Sequence, residues 1–374
     1  MVSPLQPVAA MTSEPFSDIL FARRGPLGLV TLNRPQVLNA LTLEMFQVFD
    51  RQLAAWQHDE SVRAVVVRGE GRAFCAGGDV VHVYESGLAV RSGSGDKSEL
   101  ARTVFAVEYR LDRRIATLGK PYLALLDGFT MGGGAGISLH GSHPVATEHT
   151  RFAMPECAIG LFPDIGASYF LPRCPGRIGF WLGLTGARLA AADLLYAGLA
   201  KAYVPSDQLP ALIDDLAAAD WGRAGWVDAV LAAHAGKPHA GHLPAHRAAI
   251  DRCFASERVE DIVAALEREG GEWADAQLAA LHKASPTSLK VTLRQLATGA
   301  GLGLDDCFLM EYRLTQACMA GHDFFEGVRA QLIDKDKAPR WSPALLSGVD
   351  LDLVDRHFAF RPESDLTFPD GDEA

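Results

Sequence analysis

Through the first two hundred residues, short apolar runs alternate with glycine turns and amphipathic stretches. Leu29 to Leu32 reads as a strand after the turn at Gly25-Pro26, and Pro35 then breaks the chain. Thr42 stands as the cap of a helix whose apolar positions Phe46, Phe49, Leu53 and Trp56 fall on one face. Ala64 to Val67 (AVVV) is a continuous apolar run, the pattern of a strand covered on both faces. The turn Phe74-Cys75-Ala76-Gly77-Gly78-Asp79 follows it, and residues 86–98 read as a flexible surface loop. A helix from about Glu99 to Thr117 leads through Lys120-Pro121 into a second buried strand, Tyr122 to Leu126. That strand runs into Met131-Gly132-Gly133-Gly134-Ala135-Gly136 and a further apolar helix. Strand, glycine turn and helix in repetition predict an α/β architecture. Strand signals stop beyond about Pro205, and helical patterns continue to about residue 335, broken at Gly236 to Pro244. The expected organisation is a flexible N-terminus over 1–17, a core over 18–206, a helical region over 207–362 and a flexible acidic tail over 363–374.

Composition narrows the partners. The 374 residues are 48% apolar and carry a formal charge of −11, a globular composition that argues against nucleic acid or an anionic membrane as the main partner. The uncharged stretch Gly128 to Thr147 is long enough to cross a bilayer, but its six glycines and two histidines oppose a spanning helix. The first residues show neither a secretion signal nor a transit peptide, since Glu14 and Asp18 precede the first Arg. Six widely spaced cysteines without a C-x-x-C pair read as reduced thiols. Together these predict a cytoplasmic protein.

The two glycine turns, each directly after a buried strand, are the most informative local feature. Glycine admits positive φ and lets a ligand approach the amides without meeting a Cβ. Two such amides can converge on one carbonyl oxygen; tight helix–strand packing explains each turn equally well. Residues 132–137 (GGGAGI) miss the last glycine of a dinucleotide motif, and 93–98 (GSGDKS) are no phosphate loop. Gly136 to Gly141 is one residue too long for a nucleophile elbow, so Ser138 reads as an ordinary helix residue.

The segment Met154 to Gly166 places Glu156 and Asp164 in an otherwise apolar stretch. Burial raises a carboxylate pKa and suits it to acid–base work near neutrality. Gly160 and Pro163 bend the chain between the two, which allows both to reach one site. The plainer readings are a helix cap for Asp164 and an ion pair for Glu156. Glu108 lies on or beside the buried face set by Leu100, Val104, Val107, Leu111 and Ile115, so it needs a partner there. Substrate and a salt bridge to Arg113 or Arg114 are equal candidates. His239, His242 and His246 sit in a Gly/Pro-rich segment without supporting ligands, and no HExxH occurs, so no metal is expected.

Four motifs in order, GLVTLNRPQVLNALT (28–42), RAFCAGGD (72–79), GFTMGGGAG (128–136) and MPECAIGLFPDIG (154–166), resemble the crotonase, or enoyl-CoA hydratase/isomerase, superfamily. Within it the chain resembles the 3-hydroxyisobutyryl-CoA hydrolases, through Pro163-Asp164, YFLPR (169–173), SPTSLKVTLRQL (285–296) and MEYRLTQACMAGHDFFEGVRAQLIDKD (310–336). The resemblance implies a spiral of ββα units followed by an α-helical C-terminal region. It implies an acyl-CoA substrate whose carbonyl oxygen lies between the amides of Gly78 and Gly133 in an oxyanion hole, with Glu108 lining the acyl pocket. Hydratases of the superfamily carry a glutamate two residues after the triple glycine; here that position is Gly136. Their second glutamate matches Glu156, and Asp164 stands where they have glycine.

The activity implied is hydrolysis of the (S)-3-hydroxyisobutyryl-CoA thioester to 3-hydroxyisobutyrate and CoA, a step of valine catabolism. Glu156 serves as nucleophile or general base and Asp164 holds the substrate hydroxyl, assists proton transfer, or both. No cofactor is required, CoA being part of the substrate. Two alternatives stay open: a hydratase or isomerase using the same oxyanion hole, and a non-catalytic acyl-CoA-binding protein. One departure from the hydrolases concerns the residues after Gly166, where Ala167 and Ser168 replace the usual further glycines. The resemblance also implies a homo-oligomer, as crotonase-like cores form trimers or dimers of trimers, or a helical region covering that surface within one chain.

Overall fold

The structure, a computed structural model, describes residues 6–7, 17–93 and 100–368. Ten strands appear among them: β1 (Gln6–Pro7), β2 (Ile19–Arg24), β3 (Leu27–Leu32), β4 (Ala64–Gly69), β5 (Ala73–Cys75), β6 (Tyr122–Leu126), β7 (Phe129–Met131), β8 (His143–Ala146), β9 (Arg151–Ala153) and β10 (Ala202–Tyr203). Seven form one sheet in the order β1-β2-β3-β4-β6-β8-β10, and β5-β7-β9 form a second. β3, β4, β6, β8 and β10 run parallel, whereas β1, β2 and β3 pair antiparallel. Strands β4 and β6 fall where the AVVV and Tyr122–Leu126 runs predict them, and the α/β expectation is met. Strand β2 went unread because its burial pattern shows neither a continuous run nor an alternation.

The chain divides into two compact units that interleave in sequence. The sheet unit comprises residues up to Gly78, Leu111–Phe152 and Leu189–Leu243; the helical unit comprises Asp79–Arg110, Ala153–Arg188 and Pro244 onward. The loss of strand signals near residue 206 thus marks a change of element type, and helices beyond it enter both units.

In the sheet unit, α1 (Leu43–His58) begins at Thr42, whose Oγ1 accepts from the Met45 amide at 3.2 Å. It buries Met45, Phe46, Phe49, Leu53 and Trp56, the expected face. One hydrophobic core cluster joins Val66, Leu123, Leu125 and Val145 of the strands to Leu212, Leu216, Trp226 and Leu231 of two later helices.

In the helical unit, α2 (Val80–Arg91) replaces the first part of the loop expected over 86–98; residues 94–98 lie outside the described residues. Gly87, within the segment read as a loop, is there for packing: a Cβ on it would stand 2.7 Å from the Phe325 ring. Helix α3 (Leu100–Ala116) matches its predicted span and passes from this unit into the sheet unit after Arg110. Within the tail expected to be flexible over 363–374, Arg313 Nε bonds Asp365 Oδ2 at 3.0 Å and Leu366 is buried. Positions 369–374 of that tail, and residues 1–5 and 8–16, lie outside the described residues. No described helix is long and apolar enough to cross a membrane.

Candidate active site

The two glycine turns leave neighbouring strands, because β5 and β7 pair in parallel with Ala73 opposite Phe129 and Cys75 opposite Thr130. Gly77 takes φ +117° and a Cβ on it would lie 3.8 Å from the Gly133 amide nitrogen, so the turns approach one another closely. Gly132 takes φ +47° at the start of α4 (Gly133–Leu139), which leaves the Gly133 amide at the first helical position, without an intrahelical acceptor. A Cβ on Gly134 would stand 2.2 Å from the Cys75 carbonyl oxygen. Gly78 is different: nothing lies within 4 Å of where its Cβ would be. Among the described residues, neither the Gly78 nor the Gly133 amide donates a hydrogen bond. Two donors on adjacent turns, one beside open space, fit the oxyanion reading.

Asn39 fastens this arrangement. Fully buried at φ +58°, it donates from Nδ2 to the Ala73 and Phe74 carbonyls at 2.8 and 3.2 Å. The Leu41 amide then donates to the Gly77 carbonyl at 2.9 Å. Ser138 serves as the helix residue it was read to be, its hydroxyl donating to the Gly134 carbonyl at 2.7 Å. Gly136 faces a carboxylate: a Cβ there would lie 2.6 Å from Asp112 Oδ2 and 2.9 Å from Oδ1.

The helical unit gathers Glu108, Glu156 and Asp164, each buried. Glu156 opens a single tight turn, Glu156–Ile159, ended by Gly160 at φ +72°. A Cβ on Gly160 would stand 2.1 Å from the Asp323 carbonyl oxygen, so only glycine closes the turn there. The Ser285 amide donates to the Cys157 carbonyl at 3.0 Å, and Ser285 Oγ donates to Asp323 Oδ2 at 2.6 Å. Glu156 Oε2 is buried and has no hydrogen-bond partner among the described residues. Burial pushes the Glu156 carboxyl well above its ordinary range, and the negative charge of Asp164 adds to the shift.

Asp164 does not cap the following helix, α5 (Ala167–Phe170), whose cap position is Gly166 at φ +80°. Its Oδ2 instead accepts from the Tyr109 hydroxyl at 2.8 Å. Burial raises Asp164 to about 6, and the tyrosine bond works in the opposite direction. The next residue, Ile165, takes φ +56°, a conformation that costs a β-branched side chain about 1–3 kcal/mol. Glu311, fully buried, accepts from the Gly166 amide at 2.6 Å and the Ser168 amide at 2.8 Å. Gln295 Nε2 donates to the Pro163 carbonyl at 2.7 Å. Glu108 is pushed well up by burial and then by Asp164 and Glu156. Of its two candidate salt-bridge partners, Arg114 is engaged elsewhere, with Nε 2.5 Å from Asp50 Oδ1.

Sequence reading missed Asn39, Tyr109, Gln295 and Glu311. Glu311 carries the same signal as Glu108, a carboxylate among the buried Phe308, Tyr312, Leu314 and Thr315 of one helix. Among the three histidines, His246 stacks on Trp273 with ring centroids 5.4 Å apart. All six cysteines are buried and free of disulfides.

Comparison with known proteins puts this geometry in context. A chicken (Gallus gallus) protein named 3-hydroxyisobutyryl-CoA hydrolase, mitochondrial, is 48% identical over 94% of this chain and 91% of its own. The zebrafish (Danio rerio) protein of the same name is 45% identical over 95% and 93%. A solved structure described as a carnitinyl-CoA dehydratase from Mycobacterium thermoresistibile superposes with a TM-score of 0.87 at 41% identity, covering 95% of this chain and 99% of that one. Another, described as an enoyl-CoA hydratase from Rhodobacter sphaeroides 2.4.1, gives 0.84 at 39%, covering 94% and 100%. The crotonase-like fold expected from the motifs is therefore present. The expectation of a cytoplasmic protein is overturned, since the chicken, zebrafish and human relatives are all named mitochondrial. Cellular address is carried by sorting signals, and charge balance and unpaired cysteines do not report it. The Enoyl-CoA hydratase/isomerase family matches residues 27–358, and with relatives this similar along nearly the whole chain, the protein belongs to that family.

Proposed function

We propose that this protein hydrolyses the thioester of (S)-3-hydroxyisobutyryl-CoA, releasing 3-hydroxyisobutyrate and CoA, as a step of valine catabolism. The supporting observation is the pairing of Glu156 with Asp164: both are buried, and the charge of one raises the pKa of the other. The activity named for the chicken and zebrafish relatives agrees with it.

In this reading the thioester oxygen accepts from the Gly78 and Gly133 amides, each worth about 3 kcal/mol to a developing oxyanion. Glu156, with one oxygen uncommitted, either attacks the carbonyl carbon or takes a proton from the attacking water. The C–S bond breaks and CoA leaves as a thiolate that is then protonated; where Glu156 is the nucleophile, water next cleaves the acyl–Glu156 anhydride, which frees the acid and restores the carboxylate. Asp164, held by Tyr109, accepts the substrate hydroxyl. Glu108 lines the acyl pocket. A substrate lacking the hydroxyl leaves Asp164 with Tyr109 but without its substrate donor, which disfavours it. None of these steps calls for a metal or redox cofactor.

A second reading, addition of water to an enoyl-CoA, is favoured by the names of the two solved structures. Gly136 speaks against it, because Asp112 fills the space into which a side chain would grow. Supplying (S)-3-hydroxyisobutyryl-CoA and crotonyl-CoA separately distinguishes the two. Free thiol from the first, with the crotonyl double bond intact, is expected; loss of that double bond without thiol from either ester would establish the second reading.

A further inference from the structure

We propose that Glu311 is a positioning residue for Asp164: by accepting hydrogen bonds from the far side of the Pro163–Ser168 turn, it holds that turn in the strained form that presents the Asp164 carboxylate. The inference rests on the hydrolase reading above, in which Asp164 meets the substrate hydroxyl.

The turn is fixed at three places. Gln295 Nε2 holds the Pro163 carbonyl at 2.7 Å, and the Tyr109 hydroxyl holds Asp164 Oδ2 at 2.8 Å. Glu311 holds the far end through Gly166 and Ser168, its two oxygens taking one amide each and the Ser168 hydroxyl adding a third bond. Between these anchors Ile165 sits at φ +56°, a conformation that persists only where the surroundings over-determine it. Capping α5 does not explain this investment, because a four-residue helix can be capped by a local Ser or Asp, whereas Glu311 comes from 143 residues away in sequence and is fully buried. Among the described residues the groups within hydrogen-bond reach of it are the Gly166 and Ser168 amides and Gln295 Nε2 at 3.3 Å, which only donate, and the Ser168 hydroxyl, which can donate or accept. Burial raises Glu311 to about 8 and the charge of Asp164 adds to it, while the bonds from Ser168 and Gly166 pull the other way. Ser168, which departs from the glycine-rich pattern of the hydrolases, supplies two of these donors.

Glu311→Gln keeps the shape but presents an N–H to one of the two amides, so the turn loses one anchor. Thiol release is measured from (S)-3-hydroxyisobutyryl-CoA and isobutyryl-CoA for wild type, Glu311→Gln and Asp164→Asn, with a thermal melt of each. The expected result for Glu311→Gln is a fall in kcat of about 10-fold on the hydroxylated ester, KM within about threefold, and a preference for that ester moving toward the Asp164→Asn value. Should that variant not fold, Ser168→Ala removes one bond and is expected to lower kcat about threefold with the same drift in preference. Equal losses on both esters, or an unchanged preference in whichever variant folds, overturn the proposal while Asp164 keeps its role. A wild-type protein that releases thiol from neither ester removes the hydrolase reading and this inference with it.

Discussion

The glycine turns of the sheet unit and the carboxylate segment of the helical unit reach their shapes by opposite routes. At Gly77, Gly132 and Gly134 the backbone itself is the constraint: positive φ or an approach of 2.2 Å to a carbonyl oxygen admits no side chain. Long-range help comes from Asn39, which satisfies carbonyls of the strand that feeds the first turn, and from the Leu41 amide on the Gly77 carbonyl. The Glu156–Ser168 segment also contains glycines, but its working groups are side chains set by partners remote in sequence: Tyr109, Ser285, Gln295, Glu311 and Asp323. A donor made of backbone survives most substitutions around it. A carboxylate made reactive by burial depends on every neighbour that shapes its surroundings.

The sharpest way to break this comparison is Glu156→Gln. It should lower kcat by at least about 10³-fold while the acyl-CoA still binds, as checked by equilibrium binding of the unhydrolysed ester. Activity close to wild type would remove Glu156 from the chemistry. In the sheet unit, Gly134→Ala and Gly78→Ala should separate architecture from function. The first forces a Cβ against the Cys75 carbonyl and is expected to cost about 3 kcal/mol or more in a denaturant melt. The second meets open space and should change stability by less than about 1 kcal/mol, yet turnover should fall at least about 10-fold because the new methyl enters the space before the oxyanion donor. Equal melts for the two variants would refute the distinction.

Asp164 yields a smaller effect with a definite sign. Its pKa, raised to about 6, means that the folded state holds this proton more tightly than the unfolded chain. The associated stability is complete at low pH, below the unfolded carboxylate range, and is lost as pH rises through about 6. Asp164→Asn should therefore be more stable than wild type at pH 8, by on the order of 1–3 kcal/mol, and the gain should shrink toward pH 4. A gain independent of pH would show that the carboxylate is not strained by burial. Because Glu156 must also be ionised to act and is raised as well, kcat/KM is expected to rise with pH and to go on rising beyond the Asp164 ionisation.

The contrast also explains what could be read from sequence. Buried parallel strands leave unbroken apolar runs, and glycine turns leave glycines, so β4, β6 and both turns were legible from residues a few positions apart. Glu156 and Asp164 stood out as charges in an apolar stretch, and the placement of Glu108 followed from helical periodicity. What holds these groups could not be seen, because Tyr109 reaches Asp164 across 55 residues and Glu311 reaches Gly166 across 145. Reading Gly87 as a loop failed for a related reason: a glycine that makes room for the distant Phe325 ring looks, locally, like a glycine that breaks a helix.

Release of free CoA thiol from (S)-3-hydroxyisobutyryl-CoA and from isobutyryl-CoA, side by side under identical conditions, tests the central claim most directly. Rapid release from the hydroxylated ester and little from the other is the predicted result, because only the first brings a substrate hydroxyl to Asp164. Equal release from both would contradict the role given to Asp164, and release from neither would contradict thioester hydrolysis itself.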